Sequence, residues 1–170
     1  RLWIVDVESG ERRVVTPDSL HVQSAAWSPD GSRIAIVTSL RPTNDETYFH
    51  SRLELIDPEG GGSILLEMGV QGPARWSYDG GSICFTKRHE HPEVTVGVPV
   101  VAVVDTGSRV TKLLGLNEEV TLRSPRWMPD GKRLVVIEMA GVRRKLAYLS
   151  VEDDGVEEIE EILGNYYGGN

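Results

Sequence analysis

The sequence predicts an all-β fold built from repeated four-stranded antiparallel sheets, and three observations lead to that class. A nearly identical phrase occurs three times, as Ala26-Trp27-Ser28-Pro29-Asp30-Gly31, Arg75-Trp76-Ser77-Tyr78-Asp79-Gly80 and Arg126-Trp127-Met128-Pro129-Asp130-Gly131. Its tryptophans are 49 and 51 residues apart, and self-similarity at such a fixed period is typical of repeat architectures. A short apolar run follows each copy, and a second apolar run, which ends in an acidic residue, recurs at the same period. Four strands in each period describe the blades of a β-propeller.

The four strands of a blade are named A, B, C and D in chain order. Strand A ends at the tryptophan, and strand B is the β-branched or aromatic run after the glycine, which is typical of a buried strand. Strand C recurs at residues 2–6, 53–57 and 101–105, with a weaker copy at 146–150, and strand D follows at 13–15, 64–66, 110–113 and 158–162. The last of these is disputed, because Val156, Ile159, Ile162 and Leu163 recur at helical spacing. The repeat favours a strand there.

The Pro-Asp-Gly element is the predicted turn between strands A and B. Pro presets φ for the first central position of a type I turn, Asp tolerates the second, and Gly takes a positive φ. Tyr78 stands where the other two copies have Pro, at a position that accepts most residues. We expect the three tryptophans to pack between adjacent sheets, and stacking on a ligand is the alternative. The repeat residues with a structural role are Trp27, Asp30, Gly31, Trp76, Asp79, Gly80, Trp127, Asp130 and Gly131.

The chain accounts for about three and a half blades of an incomplete β-propeller, and residues 1–170 form one segment. Residues 1–20 supply strands C and D of a partial blade, residues 21–69, 70–117 and 118–164 supply three blades, and residues 165–170 begin the next connection. Closed propellers have about four to eight blades, so we expect a longer parent protein or other copies to supply the rest. Exposed apolar sheet faces predict that the isolated segment associates at high concentration, which sedimentation would detect.

Composition argues against several classes of partner. The 170 residues carry a net charge of −8, and a phosphate-binding surface needs clustered Lys and Arg, so we expect no nucleic acid partner. No apolar run approaches the roughly 18 residues of a membrane span, and residues 1–20 lack a signal-peptide pattern. The lone Cys84 cannot form an internal disulfide, and its position between Ile83 and Phe85 predicts a small buried side chain.

Motif searches yield no catalytic residue, no metal site and no cofactor site. The chain contains no Gly-x-Ser-x-Gly elbow, no His-Glu-x-x-His pair and no Gly-rich phosphate loop. His89-Glu90-His91 resembles a fragment of a metal site, but no third ligand follows at a known spacing. Seven carboxylates between Glu152 and Glu161 follow no calcium-loop spacing and predict an exposed outer strand.

Strand direction places the candidate binding residues on one face. In antiparallel order, the A–B and C–D turns lie at one end of the blades, and the B–C and D–A connections lie at the other. The two long insertions, 39–51 and 89–99, are both predicted B–C loops, and all four histidines fall in B–C or D–A loops. Long polar and aromatic loops on a rigid scaffold often carry function, although histidines that merely avoid strands are the alternative. The candidates are Arg41, Tyr48, His50, Arg88, His89 and His91.

The repeated phrases resemble those of the TolB-type propeller, a WD40-like repeat. The Trp-Ser-Pro-Asp-Gly phrase with its apolar strand and Leu2-Trp3-Ile4-Val5-Asp6 with its Gly turn carry the resemblance over essentially the whole chain. The repeat is more specific for the fold than for function, since one fold hosts many functions. The opening phrase and the long B–C insertions favour the propeller of prolyl oligopeptidase-family serine peptidases, which include acylaminoacyl peptidases, over the TolB group.

The resemblance to the peptidases implies a segment without catalytic residues. In that family a propeller precedes an α/β-hydrolase domain that holds the catalytic triad, so this segment would gate peptide access in a cytoplasmic enzyme. Its partners would be peptide substrates, the remaining blades and the hydrolase domain. The resemblance to the TolB group implies instead a periplasmic propeller that docks a partner protein through its B–C and D–A loops.

A third possibility is a metal- or sugar-acting propeller enzyme, which requires the histidines to converge and which zinc stoichiometry would test. The continuation of the reading frame discriminates the first two. A downstream Gly-x-Ser-x-Gly in an α/β pattern supports the peptidase, whereas a signal peptide without a hydrolase domain supports the scaffold.

Overall fold

A computed structural model describes residues 1–91, 94–116 and 120–158. Within these residues the chain forms fourteen β-strands and one short helix. The strands are β1 (Trp3–Val5), β2 (Arg12–Val14), β3 (His21–Trp27), β4 (Ile34–Ser39), β5 (Arg52–Ile56), β6 (Ser63–Met68), β7 (Val70–Trp76), β8 (Ser82–His91), β9 (Val94–Asp105), β10 (Thr111–Leu114), β11 (Thr121–Trp127), β12 (Arg133–Ala140), β13 (Arg143–Ser150) and β14 (Val156–Glu158), and the helix is α1 (Asn44–Phe49). They build a two-stranded sheet, β1–β2, and three four-stranded sheets, β3–β6, β7–β10 and β11–β14. Every pairing is antiparallel, which confirms the predicted all-β fold of propeller blades.

The central strands of a blade are buried on both faces, which explains why they are continuous apolar runs rather than alternating ones. In β4, Ile34 and Ile36 pack with Ile4 of the preceding sheet, whereas Val37 packs with Phe85 of the following sheet. Successive side chains of a strand point to opposite faces, so one run supplies two cores. The same alternation recurs in β8, and each blade therefore completes the core of its neighbours.

In β8 the alternation assigns neighbouring residues to different cores. Ile83 and Phe85 belong to the core shared with the preceding blade. Cys84 belongs to the core shared with the following blade, together with Leu122 and Leu134. Cys84 is fully buried, which confirms the prediction made from its neighbours.

Two of the repeat tryptophans join adjacent blades by a hydrogen bond. Trp76 Nε1 donates to the carbonyl oxygen of Ala26 at 3.0 Å, and Trp127 Nε1 donates to that of Arg75 at 3.1 Å. Each acceptor residue directly precedes the tryptophan of the preceding blade, and both indoles pack against the core between the blades. Trp27 is 50% exposed, because the sheet in front of it has two strands rather than four.

The A–B turns close in the same way in all three blades. Gly31 N donates to the carbonyl oxygen of Ser28 at 2.9 Å, and the equivalent distances in the other two turns are 3.1 and 3.0 Å. The turn glycines have φ of +71°, +73° and +67°, the left-handed region that the sequence predicts for this position. The carboxylate of Asp30 accepts from Ser28 Oγ and from Ser32 N, and these hydrogen bonds fix the turn.

The turn carboxylates should make the fold sensitive to acid. The hydrogen bond from Ser28, followed by those from Ser32, lowers the pKa of Asp30 from 3.8 to about 2. The hydrogen bond from Ser77 lowers the pKa of Asp79, and hydrogen bonds from Lys132 N and from the Arg133 side chain lower that of Asp130. A carboxylate whose pKa is depressed in the folded state stabilises the fold above its unfolded pKa, and this contribution is lost as the pH falls through its folded pKa. We therefore expect the free energy of unfolding to decrease between about pH 4 and about pH 2.

Urea denaturation of Asp30→Asn across this pH range measures that contribution. The amide oxygen still accepts the turn hydrogen bonds but does not titrate, so the variant should lose less stability on acidification than the unchanged chain. Glu11→Gln, which removes one exposed carboxylate outside the A–B turns, should keep the acid sensitivity. An acid response identical in Asp30→Asn and in the unchanged chain would contradict the role of this turn.

The B–C connections differ from the predicted loops. Residues 39–51 include the helix α1, which begins after Thr43, whose side chain accepts from Glu46 N at 3.4 Å. The described part of residues 89–99 is strand rather than loop, because β8 extends to His91 and β9 begins at Val94. Val98 and Val100 in β9 are β-branched, and such residues are enriched in strands.

The last blade ends with a strand slightly earlier than predicted. β14 pairs with β13 between Val156 and Glu158, so the start of the disputed segment is strand rather than helix. The rest of the predicted strand, 159–162, and the connection at 165–170 lie outside the described residues. No helix among the described residues is long and apolar enough to cross a membrane.

Candidate functional site

The candidate binding residues lie at the end of the blades where strand B leads into strand C, here called the B–C end. His21, the first residue of β3, pairs with Ser39 at the end of β4. At the start of β5, Arg52 pairs with Thr38. The beginnings of strands A and C and the end of strand B therefore share this end, and His50 directly precedes β5.

An aromatic cluster on α1 brings three of the candidates together. Tyr48 and Phe49 meet edge to face, with ring centroids 5.0 Å apart and an interplanar angle of 74°. The guanidinium of Arg88 lies 4.7 Å from the centroid of the Phe49 ring, and the ring of His50 lies 6.4 Å from it. Because Arg88 belongs to β8 and Phe49 to α1, the cation–π contact connects two blades, and such contacts contribute about 0.5–1 kcal/mol at exposed sites.

A groove of about 570 Å³ opens beside this cluster. The residues of α1 that line it are Asn44, Asp45, Thr47, Tyr48 and Phe49, and the strands contribute Gln23 from β3 and Gln71 and Gly72 from β7. The first strands of neighbouring blades contact one another, and propeller blades surround a central channel. We therefore place β3 and β7 nearest the channel axis, so that the groove lies at the inner rim of the B–C end.

Two side-chain amides in the groove lack a partner. Gln23 Nε2 and Gln71 Nε2 are buried and have no hydrogen-bond partner among the described residues. A buried donor without an acceptor costs about 1–3 kcal/mol, so a ligand that supplies acceptor atoms would recover that free energy. The groove thus combines aromatic rings with two side-chain amide donors, and this combination suits an extended ligand with free carbonyl groups.

The remaining candidates, Arg41, His89 and His91, are not among the residues that the ring and cation–π contacts of the α1 cluster join. Arg41 is exposed, and its carbonyl oxygen accepts from Ser39 Oγ at 2.9 Å. His89 lies in β8 opposite Val98, and within the described part of the chain no ring contact or ion pair joins Arg41 or His89 to Tyr48 or Phe49. His91 ends β8, and its side chain lies outside what the structure describes.

Two observations concern metal binding and thiol chemistry among the described residues. In that part of the chain, no three His, Cys, Asp or Glu side chains come together in a way that could hold a metal ion. Burial raises the pKa of the Cys84 thiol to about 12, so this thiol stays protonated near neutral pH and is a poor nucleophile.

Sequence reasoning selected Tyr48, His50 and Arg88 but missed α1, Phe49, Gln23 and Gln71. The signal for α1 was present, because Thr43 and Glu46 form the Thr-x-x-Glu spacing of a capping box. Phe49, Gln23 and Gln71 carry no motif, and only the contact between neighbouring blades reveals their common groove.

Comparisons with known proteins agree on the fold. No family model and no curated protein sequence matches the chain. TolB from Acinetobacter baumannii superposes with a TM-score of 0.67 at 22% identity, over 92% of this chain and 36% of that one. An oligogalacturonate lyase in complex with manganese gives a TM-score of 0.71 at 17% identity, over 92% of this chain and 46% of that one. A prolyl endopeptidase structure gives 0.67 at 16% identity, over 92% and 25%.

At these identities the likeness establishes the fold and not the activity. The chain has a TolB-like β-propeller fold, as its repeated phrases predict, and this fold resembles that of the prolyl endopeptidase propellers. It spans between 25% and 46% of the length of these three structures.

Proposed function

We propose that the chain is a non-catalytic propeller segment that gates peptide access, as the propellers of prolyl oligopeptidase-family peptidases do. The observation that carries the proposal is the groove at the inner rim, lined by Tyr48 and Phe49 and by the unpartnered amides of Gln23 and Gln71. Its volume of about 570 Å³ lies within the range of small-ligand clefts.

The groove suits a short extended peptide better than a folded protein. The carbonyl groups of an extended peptide are free to accept from Gln23 and Gln71, whereas those of a folded protein are already paired. The rings of Tyr48 and Phe49 offer apolar contact to peptide side chains. Passage past this rim would therefore select by chain flexibility and width.

Titration with a blocked peptide tests the proposal. An N-acetylated, C-amidated hexapeptide that contains proline should shift the amide resonances of α1 and of Gln71 and Gly72 in ¹⁵N-labelled protein. Tyr48→Ala should weaken binding by about tenfold, the loss of one aromatic contact. Tyr78→Ala, which removes an exposed tyrosine at the opposite end of the blades, is the matched control and should change nothing. A peptide that shifts no resonance near α1 would contradict the proposal.

The second candidate is a TolB-like scaffold that docks a folded partner protein. It is favoured by the identity to TolB, which is 22% against 16% for the prolyl endopeptidases. In that case the blocked hexapeptide does not bind, and a folded partner protects the B–C end, with Arg88→Ala weakening the complex. The two candidates also differ in compartment, the cytoplasm for the peptidase and the periplasm for the scaffold.

A further inference from the structure

A second cavity, of about 210 Å³, lies between β7 and β11 and is separate from the α1 cluster. Three arginines line it, Arg75 from β7 and Arg123 and Arg126 from β11. Arg75 is half-buried, whereas the two arginines of β11 are exposed. Three arginines around one cavity concentrate positive charge in a chain whose net charge is −8.

The backbone is irregular in both strands that line this cavity. The pairing of β7 with β8 shifts register between Gln71 and Arg75, and the pairing of β11 with β12 shifts between Arg123 and Arg126. Bulges of this kind re-aim side chains. Ser124, between the two arginines of β11, has a φ of +55°, a conformation that costs a non-glycine residue free energy and that is concentrated at functional sites.

The charges of the three arginines have no counterion in the described part of the chain. No carboxylate lines the cavity, and the ion pairs among the described residues involve Arg1, Arg13, Lys87, Arg88 and Arg133 instead. Cys84, which lies near enough for Arg75 and Arg126 to act on its titration, is buried with its pKa raised to about 12. The thiol is therefore neutral and does not balance the arginines.

Two of the donors at the cavity are also buried without acceptors. Arg75 Nε and Gln71 Nε2 have no hydrogen-bond partner among the described residues. A guanidinium has only donors, so the missing partner is an acceptor, and the positive charge of the three arginines favours an anion. The planar fork of arginine matches a carboxylate through two parallel hydrogen bonds.

We infer that the cavity between β7 and β11 binds a carboxylate group, held by Arg75 and Arg126 with Arg123 at the entrance. Its volume of about 210 Å³ is below the range for drug-sized ligands, so it accommodates a single acidic group with little else attached. The inference does not depend on the peptide groove, although Gln71 and Gly72 line both cavities. Two kinds of ligand could supply the carboxylate. One is a peptide in that groove, through its C-terminal carboxylate, and the other is a free small acid.

Calorimetric titration with four probes tests the site and separates the sources. N-acetyl-trialanine with a free carboxylate should bind about tenfold more tightly than its C-terminal amide, the loss of a charge-assisted hydrogen bond. Acetate that binds as tightly as the peptide acid assigns the site to small acids, whereas weaker acetate binding assigns it to a chain end. Inorganic phosphate that binds more tightly than every carboxylate overturns the carboxylate assignment, and absence of binding by all probes overturns the site.

Substitutions of the arginines test whether these residues bind the carboxylate. Arg126→Gln should weaken binding of N-acetyl-trialanine by about tenfold, and because Arg126 is exposed, the variant should fold. Arg75→Gln should have at least the same effect, and Arg75→Lys should restore only part of the affinity, since Lys cannot form the bidentate pair. Arg12→Gln, an equal loss of charge on exposed β2, is the control, and weakening equal to that of Arg126→Gln would overturn the assignment. Shifts of the Arg75 Nε–H resonance on addition of the acid provide an independent readout.

Discussion

Replacing Phe85 with alanine should lower the free energy of unfolding by about 3–5 kcal/mol, the usual cost of deleting a fully buried phenylalanine ring. Phe85 is completely buried and packs in the core between the first and second complete blades, with Val37 and Leu53 of the preceding sheet. The loss combines the lost burial of the ring with the cavity that remains. Urea denaturation followed by far-UV circular dichroism measures the change.

A milder variant and a surface control keep this experiment interpretable. Because a domain of this size is stable by about 5–15 kcal/mol, Phe85→Ala can leave too little folded protein, and Phe85→Leu should then show a smaller loss of about 1–2 kcal/mol. Tyr78→Ala, at a residue that is 63% exposed, should change stability by less than about 0.5 kcal/mol. A loss below about 1 kcal/mol for Phe85→Ala would mean that the blades do not share this core.

Gly115→Ala should destabilise the fold by about 2–4 kcal/mol, the sum of backbone strain and overpacking. Gly115 has a φ of +63°, and a Cβ atom there would lie 2.2 Å from Leu122 Cδ1 and 3.6 Å from Leu149 Cδ1. Both leucines are buried in the core between the second and third complete blades, so neither can move without disturbing its neighbours.

Gly141→Ala separates the two contributions. Gly141 has a φ of +57° with no atom within 4 Å of a Cβ at that position, so this variant should bear only the backbone cost of about 1–2 kcal/mol. Thermal and urea denaturation of both variants give the difference, which measures the collision with Leu122. Equal losses in the two variants would contradict the close approach at Gly115.

The repeat made the fold predictable because each blade must satisfy the same physical demands. A strand buried on both faces must be apolar at most positions, and the A–B turn must have Gly at its positive φ, so both features recur in each copy. Ile34, Ile36 and Val37 show the first demand, and Gly31, Gly80 and Gly131 show the second. The insertions have no counterpart in the other copies of the repeat. For that reason α1 and the long β8–β9 hairpin were predicted as loops.

The candidate site was only partly predictable for a different reason. Tyr48, His50 and Arg88 were selected from strand direction and loop composition, and the structure brings them together around Phe49. The remaining site residues lie in strands that carry no functional motif in the sequence. They are Gln23, Gln71 and the arginines of β7 and β11. Their common cavities arise from bulges and from the approach of neighbouring blades, and no local pattern in the sequence encodes either.

The central claim is that each tryptophan phrase marks a blade that is completed by contact with the next. Hydrogen exchange of the four indole N–H groups tests this claim most directly, with resonances assigned by Trp→Phe variants. The indoles of Trp76 and Trp127 donate to carbonyls of the preceding blade and should be protected. Those of Trp3 and Trp27, which are 46% and 50% exposed, should exchange rapidly. Equal exchange rates at all four indoles would contradict the stacking of the blades.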